Sequence, residues 1–404
     1  MESIDLELAK KILLDNISPI EEFENKNLLD SLGYILGENI YSPIDNPPFN
    51  RSPLDGFSFD FNLSKGASKN TPINIKIIDE ICAGDNSFLT PSLKEGVRIM
   101  TGAPIPNTCN CIIMQEEVDF NENTNILTIY RELKEFENYC FKGEDVKFNQ
   151  LILEKNTLIT YSHLGILASL GISEIKVYKK PTIGILSFGS ELLMPGMSLT
   201  PGKIYNSNLF TLSGRLKELN LNPKIYPIIE DDPILAIEFI EKIFPEIDFL
   251  ITTGGVSVGK KDIVHDIIKI TNSTRLFWKV NLQPGTPVLA WKMKNKLILS
   301  LSGNPFASLV NFELLARDVL SKLTHGLIKL PTVSEAIISG EFSKYSKKRR
   351  FIRAFYDKGI VYVNNNKHSS GMISSLINKN ALIDIAPGTN PLSTGDKVKV
   401  ILID

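Results

Sequence analysis

The stretch ITTGGVSVGKKD, Ile251 to Asp262, runs from apolar residues into three glycines, two lysines and an aspartate. From Gly254 to Lys260 it spells GxxxxGK, the pattern of a phosphate-cradling loop, but Lys261 stands where that loop needs Ser or Thr. Without the hydroxyl nothing ligates the Mg2+ of a nucleotide hydrolase, so the match is one of glycine spacing rather than chemistry. Glycines ahead of a helix still let backbone N–H groups approach an anion, and a plain tight turn accounts for them as well. Polar residues gather in similar places elsewhere: Glu191 in FGSEL, Asp231 and Asp232 in EDDP, Asn304 and Pro305 in SGNP. Asp232-Pro233 and Asn304-Pro305 fit a helix N-cap followed by proline at the first helical position. Asp231 is not needed as a cap, and Glu191 fits either a helix start or a ligand. Carboxylates beside an anion-receiving loop oppose the anion unless a divalent cation lies between them. Glu191, Asp231 and Asp262 therefore read together as an Mg2+ and phosphate site. Lys279, after the aromatic pair Phe277-Trp278, reads as a further cationic element or as an exposed strand lysine.

These residues need a common edge, and the rhythm of the chain supplies one. From Pro181 to about 330, strand-like runs (TIGILSF, KIYPIIE, DFLITT, LILSL) alternate with helix-like ones (NLFTLSGRLKEL, PILAIEFIEKIF, DIVHDIIKI, PFASLVNFELLARDVLSKL). That alternation predicts a doubly wound α/β domain with a largely parallel sheet, whose ligands bind beyond the carboxyl ends of the strands. All the residues named above except Lys279 fall in loops that follow strands. Before this domain, residues 1 to about 40 carry helical spacing in LELAKKILLDNI and NKNLLDSLGYIL. YSPIDNPPFNRSPLDGFSFD, with Pro43, Pro47, Pro48 and Pro53, excludes helix and reads as a stiff loop holding Ser52, Asp55 and Gly56. Short β-rich runs from about 71 to 142 suggest a small all-β insert, and RIMTGAPIP within it sets Thr101 and Gly102 before a rigid turn. Residues 143 to 180 return to helix and end on EIKVYKKP, while the tail from 332 alternates as a second small β domain. The division expected is 1–45 with 143–180 as a helical domain, 46–142 as the β insert, 181–330 as the α/β domain and 331–404 as the C-terminal β domain.

Composition narrows the function. The chain has 404 residues, 43% of them hydrophobic, which is too much for one core and predicts several domains. A net charge of −2 gives no general attraction to nucleic acid or to an anionic membrane, so an anionic ligand needs a locally built site. Cys82, Cys109, Cys111 and Cys140 show no metal-binding or disulfide spacing, and the N-terminus lacks the apolar core of a signal peptide. No uncharged apolar run reaches the roughly 18 to 20 residues of a membrane-spanning helix. A reduced, cytoplasmic protein is expected. Four scattered histidines, His163, His265, His325 and His368, argue against a histidine-based metal site.

PPFNRSPLDGF, RIMTGAPIP, KGEDV, FGSEL, IEDDP, TTGGVSVGKKD, QPGTP and SGNP occur in the order and approximate spacing of the molybdopterin molybdenumtransferase (MoeA) family. The chain is also similar to the E domain of gephyrin, and the resemblance runs along essentially its whole length. It implies an elongated homodimer of four domains, the last a β barrel, with an active cleft between the α/β domain and loops of the other subunit. It implies a reaction in which adenylylated molybdopterin and molybdate, assisted by a divalent cation, give molybdenum cofactor and AMP. By motif position, Asp55 and Thr101 line the cleft from the partner subunit and Asp145 of KGEDV supports them. Glu191, Asp231 and Asp262 hold the metal and the phosphate end, and the loop of Gly254, Gly255, Ser257 and Gly259 receives phosphates beside Asn304 and Pro305. Lys279 helps to hold anionic substrates. RRFIRA and HSSGMISSL resemble segments that bring Arg350, Arg353 and Ser370 towards molybdate, against the plainer reading of KKRR as a solvated face.

The chain also departs from the family. Lysine is usual where Gln283 and Thr286 stand, proline where Ser302 stands, aspartate where Asn50, Ser190 and Asn206 stand, and Ala-Met where Pro53-Leu54 stand. A lysine lost from an anion site removes a charge-assisted contact of roughly 1.5–3 kcal/mol, so molybdate affinity is the property these changes touch. Two other readings stand beside the transferase: a molybdopterin-binding scaffold without catalysis, and a molybdopterin adenylyltransferase. Other proteins of molybdenum cofactor biosynthesis are possible partners.

Overall fold

A computed structural model describes residues 3–85, 89–256, 262–363 and 368–403. The chain divides into two compact units, Asn25–Val177 on one side and Met1–Glu24 with Tyr178–Asp404 on the other.

The first helix of the chain, α1 (Leu6–Asp15), buries Leu6, Ala9 and Leu13, the stripe its spacing predicts. Those side chains join the core of the α/β domain, rather than packing with residues 143–177. The second expected helix, over NKNLLDSLGYIL, does not form. Phe23–Asn27 is a strand and Leu29–Ser31 a single 3-10 turn. Gly33 takes a φ of 74°, which ends any helix there. Beyond it the adjacent Ile35 and Leu36 are both buried in extended backbone, while Leu29 and Leu32 stay exposed. The helical spacing was a coincidence of two apolar pairs.

Within Asn25–Val177 a six-stranded sheet is built from β1 (Gly56–Phe59), β2 (Ile73–Ile81), β3 (Glu95–Ile99), β4 (Cys111–Met114), β5 (Asp119–Asn121) and β6 (Ile126–Ile129). Their order is β4-β1-β3-β2-β6-β5. β1 lies at the end of the segment read as loop. All four of its residues are buried between β3 and β4, and its glycine and short length gave no periodic signal. Helix α2 (Tyr161–Ser169) follows, capped by Thr160.

The other unit holds the expected α/β domain. Its elements are β7 (Ile183–Ser187), α3 (Ser207–Glu218), β8 (Lys224–Ile225), α4 (Pro233–Ile243), β9 (Phe249–Thr253), α5 (Ile263–Ile270), β10 (Thr274–Trp278), β11 (Leu282–Gln283), β12 (Leu289–Met293), β13 (Lys296–Leu301), α6 (Pro305–Asn311) and α7 (Arg317–Leu323). The sheet runs β8-β7-β9-β13-β12-β10, parallel from β8 to β13 and antiparallel beyond. Every residue of β7 and β9 is buried, as parallel strands covered on both faces must be. α3 and α6 pack in one apolar cluster of this domain, α4 and α5 in the other. A π-helical turn, Phe312–Ala316, joins α6 to α7.

The tail forms β14 (Val333–Ser339), β15 (Arg349–Asp357), β16 (Ile360–Tyr362), β17 (Ala381–Ile385) and β18 (Lys397–Leu402). They pair β15-β16-β14-β18-β17, and β17 returns to β15, which closes a five-stranded barrel. β11 adds to β15 in parallel, Leu282 beside Arg349 and Gln283 beside Arg350, and so brings the QPGTP loop to the barrel.

Candidate active site

The carboxyl ends of β7, β9 and β13 open into one cavity of about 640 Å³. Glu191 comes to it from the loop after β7, Asp231 from the loop before α4, and Asp262 from the residue that precedes α5. Gly254, Gly255, Ser302 and Asn304 also line it, as does Ser370 from the tail. Asp231 is anchored by an exchange with one residue: the Ser190 N–H donates to its Oδ2 at 3.2 Å, and the Asp231 N–H donates to Ser190 Oγ at 3.2 Å. Lys203 Nζ donates to the Ser190 carbonyl at 2.5 Å and fixes the same turn from behind. The neighbouring Asp232 is the helix cap, its Oδ1 accepting from the N–H groups of Ile234 and Leu235 at 2.8 and 3.1 Å.

Asn304 occupies the N-cap position of α6 but makes no side-chain capping bond, contrary to the capping expectation. Its backbone N–H takes Ser302 Oγ at 3.3 Å, and Asn304 stands at the cavity. Pro305 begins the helix and is not in the cavity lining. Gly254 and Gly255 have φ of 86° and 68°, and a Cβ on Gly254 would run into the Phe188 carbonyl oxygen. Glycine there is a requirement of the close approach of the β7 and β9 loops. Ser257 and Gly259, expected to receive phosphate, lie outside the described residues.

A second cavity of about 630 Å³ shares Gln283, Pro284 and Ser370 with the first. Lys344, Arg350 and His368 line it, together with Ser369. The charges of the two are opposed: among the described lining residues the first carries three carboxylates and no cation, the second three basic side chains and no carboxylate. At the shared wall Arg350 Nη2 donates to Gln283 Oε1 at 2.8 Å, and burial pushes the Arg350 guanidinium below its ordinary range. Thr286 lines the first cavity and donates its hydroxyl to the Leu282 carbonyl at 2.5 Å. The two positions where lysine was expected are therefore neutral and engaged within the chain.

Arg353 and Lys279 stand elsewhere. Arg353 is buried outside both cavities, where it donates to the carbonyls of Ser369 and Met372 at 2.6 and 3.1 Å. Lys279 has a φ of 70°, just past β10, with its ammonium 4.0 Å from the centre of the Trp278 ring. In the other unit Asp55 and Thr101 do meet. Asp55 Oδ1 accepts from both the N–H and the hydroxyl of Thr101 at 2.7 Å, and these bonds hold the carboxyl below its usual range. Asp145 Oδ2 accepts from Asn46 Nδ2 at 3.0 Å, on the proline-framed loop.

Lys203 and Lys344 lie outside helices and strands, without periodic or motif signals in the sequence; the basic run beside Lys344 was the one available pointer. Among the described residues no group of three His, Cys, Asp or Glu side chains closes into a cluster able to hold a metal by itself. Mg2+ ordinarily keeps waters and substrate phosphates and needs only one or two carboxylates, so three carboxylates around an open cavity fit that ion.

Comparison with known sequences and structures agrees along the whole chain. Residues 4–171 match the family model described as MoeA N-terminal region (domain I and II). Residues 184–322 match "Probable molybdopterin binding domain", and 335–403 match MoeA C-terminal region (domain IV). A molybdopterin molybdenumtransferase of Staphylococcus epidermidis is 35% identical over 383 residues, covering 94% of this chain and 91% of its own. One from Staphylococcus aureus strain COL is 34% identical over 377 residues, covering 93% and 90%. A crystal structure of the molybdopterin biosynthesis MoeA protein from Pyrococcus horikoshii superposes with a TM-score of 0.87 at 26% identity, covering both chains completely. A second MoeA structure, from Pyrococcus horikoshii OT3, gives 0.77 at 28% identity over 99% of this chain and 100% of that one.

Proposed function

The chain belongs to the MoeA family, and from that premise we propose that it is a molybdopterin molybdenumtransferase: it inserts molybdenum from molybdate into adenylylated molybdopterin and releases AMP. The observation that carries this reading is the pair of oppositely lined cavities with a common wall at Gln283, Pro284 and Ser370. The substrates are two anions that must meet although they repel: the basic cavity attracts one directly, and the carboxylate cavity would accept the other once a divalent cation offsets its charge. In this proposal the carboxylate cavity takes the pyrophosphate end of the adenylylated pterin, with Glu191, Asp231 and Asp262 as the residues that hold Mg2+. An Mg2+ held by Glu191, Asp231 and Asp262 would supply Lewis-acid polarisation of the phosphate oxygens and offset negative charge on the leaving AMP. Ser190 and Lys203 fix where the Asp231 carboxylate points, and Gly254 and Gly255 line the same cavity. Molybdate enters the basic cavity, where Arg350 and Lys344 supply positive charge, His368 lines the wall and Ser370 borders both cavities.

The protein is proposed to act as a cytoplasmic homodimer of four domains per subunit, 46–142, 181–330, 331–404 and a first domain drawn from 1–45 and 143–180, of which α1 packs instead into the core of the α/β domain. Asp55 and Thr101 would complete the partner's cleft and Asp145 would hold their loop. No described helix is long and apolar enough to cross a membrane, which is compatible with that setting. The test is AMP release from adenylylated molybdopterin by the purified protein with and without molybdate. Molybdate-dependent release supports the transferase, no release in either case supports a binding scaffold, and consumption of ATP identifies an adenylyltransferase.

A further inference from the structure

Asn311, the last residue of α6, is fully buried and lines neither cavity. An amide in a closed core is costly unless its polar atoms find partners. Its Nδ2 donates to the Gly285 carbonyl at 3.1 Å, while among the described residues its Oδ1 has no hydrogen-bond partner. No backbone N–H among the described residues reaches that carbonyl. The fit is as close on the loop side: Gly285 has a φ of 102°, and a Cβ added there would stand 2.5 Å from Asn311 Oδ1. Gly285 is the middle residue of QPGTP, whose Gln283 and Pro284 belong to the wall common to both cavities and whose Thr286 and Pro287 line the carboxylate one. The other bonds of this loop are local or lead to the barrel. The Val280 N–H donates to the Thr286 carbonyl at 3.1 Å, and β11 pairs with β15. Asn311 ties the loop instead to α6, the helix whose start places Asn304 and Ala307 in the carboxylate cavity. One helix therefore fixes two walls, the SGNP turn at its start and the QPGTP loop through its last residue.

We infer that Asn311 is a positioning residue: its amide staples Gly285 to the end of α6 and so sets the spacing of QPGTP and SGNP across the cavity, without touching either substrate. The inference deepens the proposed function, and its kinetic part rests on that reading; its structural part does not.

Wild type, Asn311→Ser, Gly285→Ala and the double variant are compared by steady-state kinetics in both substrates and by amide hydrogen exchange. Serine is too short to reach the carbonyl, and alanine at 285 pushes the same two groups apart from the other side. If one variant fails to fold, the other still judges the staple. Each single variant is expected to raise the KM for molybdate and for adenylylated molybdopterin about tenfold, the worth of one buried hydrogen bond, and to leave kcat within about threefold. The Mg2+ concentration for half-maximal rate stays as in wild type, because Glu191, Asp231 and Asp262 stand on other loops. The double variant is no worse than the poorer single one, since both changes break one contact. Exchange at the Val280 amide rises about tenfold in each single variant while β7 and β9 stay protected. Unchanged KM values, multiplicative losses in the double variant, an unmoved Val280 amide, or faster exchange across the whole unit would each overturn the staple. An inactive wild type would sink the transferase reading alone, since exchange at Val280 still judges the staple.

Discussion

Asp231 and Asp232 are neighbours in sequence, but only Asp232 spends its carboxylate on a helix cap. Asp231 is tied to Ser190 and borders the cavity, so the two positions respond differently to the loss of one negative charge. Asp231→Asn keeps the shape and the Ser190 contact, and is expected to abolish AMP release while the far-UV spectrum and melting temperature stay as in wild type; Asp262→Asn is expected to do the same. Wild-type turnover in either variant removes the residue from its role. Gln283 offers the opposite experiment. It faces Arg350 as a neutral acceptor at the wall of the basic cavity. Gln283→Lys adds a second cation beside Arg350, which repels it until an oxyanion lies between them, and a charge-assisted bond of about 1.5–3 kcal/mol then lowers the molybdate KM roughly tenfold or more. An unchanged or higher KM says that molybdate does not bind beside residue 283. Asp55 carries a pH signature. Because Thr101 lowers its pKa in the folded state, the ionised carboxylate and both bonds are complete above the ordinary Asp value of about 3.9 and are lost as pH falls through the lower folded value. The Thr101 amide resonance should titrate below that ordinary value, and Asp55→Asn should remove the transition.

At the scale of elements, the strand-end loops were legible because strands β7, β9 and β13 announce themselves as short apolar runs closed by glycine, and the polar residues just beyond them have few structural duties. β1 and the region around Leu29 were not. Four buried residues, one of them glycine, carry no period, and burial of Ile35 and Leu36 as an adjacent pair mimics one face of a helix. Arg353, expected to face molybdate, is buried outside both cavities for a reason that periodicity does not carry: only the closure of the barrel around β15 makes it internal. The same limit applies to the long helix α6–α7, where the sequence shows apolar periodicity and the structure a π-turn with Glu313 fully buried. Glu313 accepts from Arg215 Nε at 2.6 Å and from Arg317 Nη1 at 3.0 Å, so one carboxylate serves two buried guanidinium groups. Removing that charge leaves Arg317 without a carboxylate and Arg215 with only the more exposed Glu218. Glu313→Gln is expected to cost about 3–5 kcal/mol in urea unfolding, the range for breaking a buried ion pair. A loss below about 1 kcal/mol, typical of exposed pairs, would mean that water already screens the group.

For the whole molecule, the residues proposed for one reaction are divided between the two compact units. The carboxylates and basic residues belong to Tyr178–Asp404, whereas Asp55, Thr101 and Asp145 belong to Asn25–Val177. If each cleft in a homodimer is completed by the partner's Asp55 loop, activity becomes a property of the pair, and this can be tested without a view of the interface. Asp55→Ala and Asp231→Asn subunits are each expected to form inactive homodimers. In a mixed dimer, the site built on the Asp55→Ala subunit has its own Asp231 intact and receives an intact Asp55 from its partner, whereas the other site carries both lesions. Random reassociation of equal amounts makes half of the dimers mixed, with one working site in each, so recovery of about one quarter of wild-type AMP release is expected for a two-fold symmetric dimer. Purification through two different tags, one on each variant subunit, isolates the mixed dimers and confirms that the recovered activity belongs to exchanged pairs. Recovery near zero after verified exchange would place Asp55 beside the carboxylates of its own chain, because every mixed dimer would then contain one defect per site.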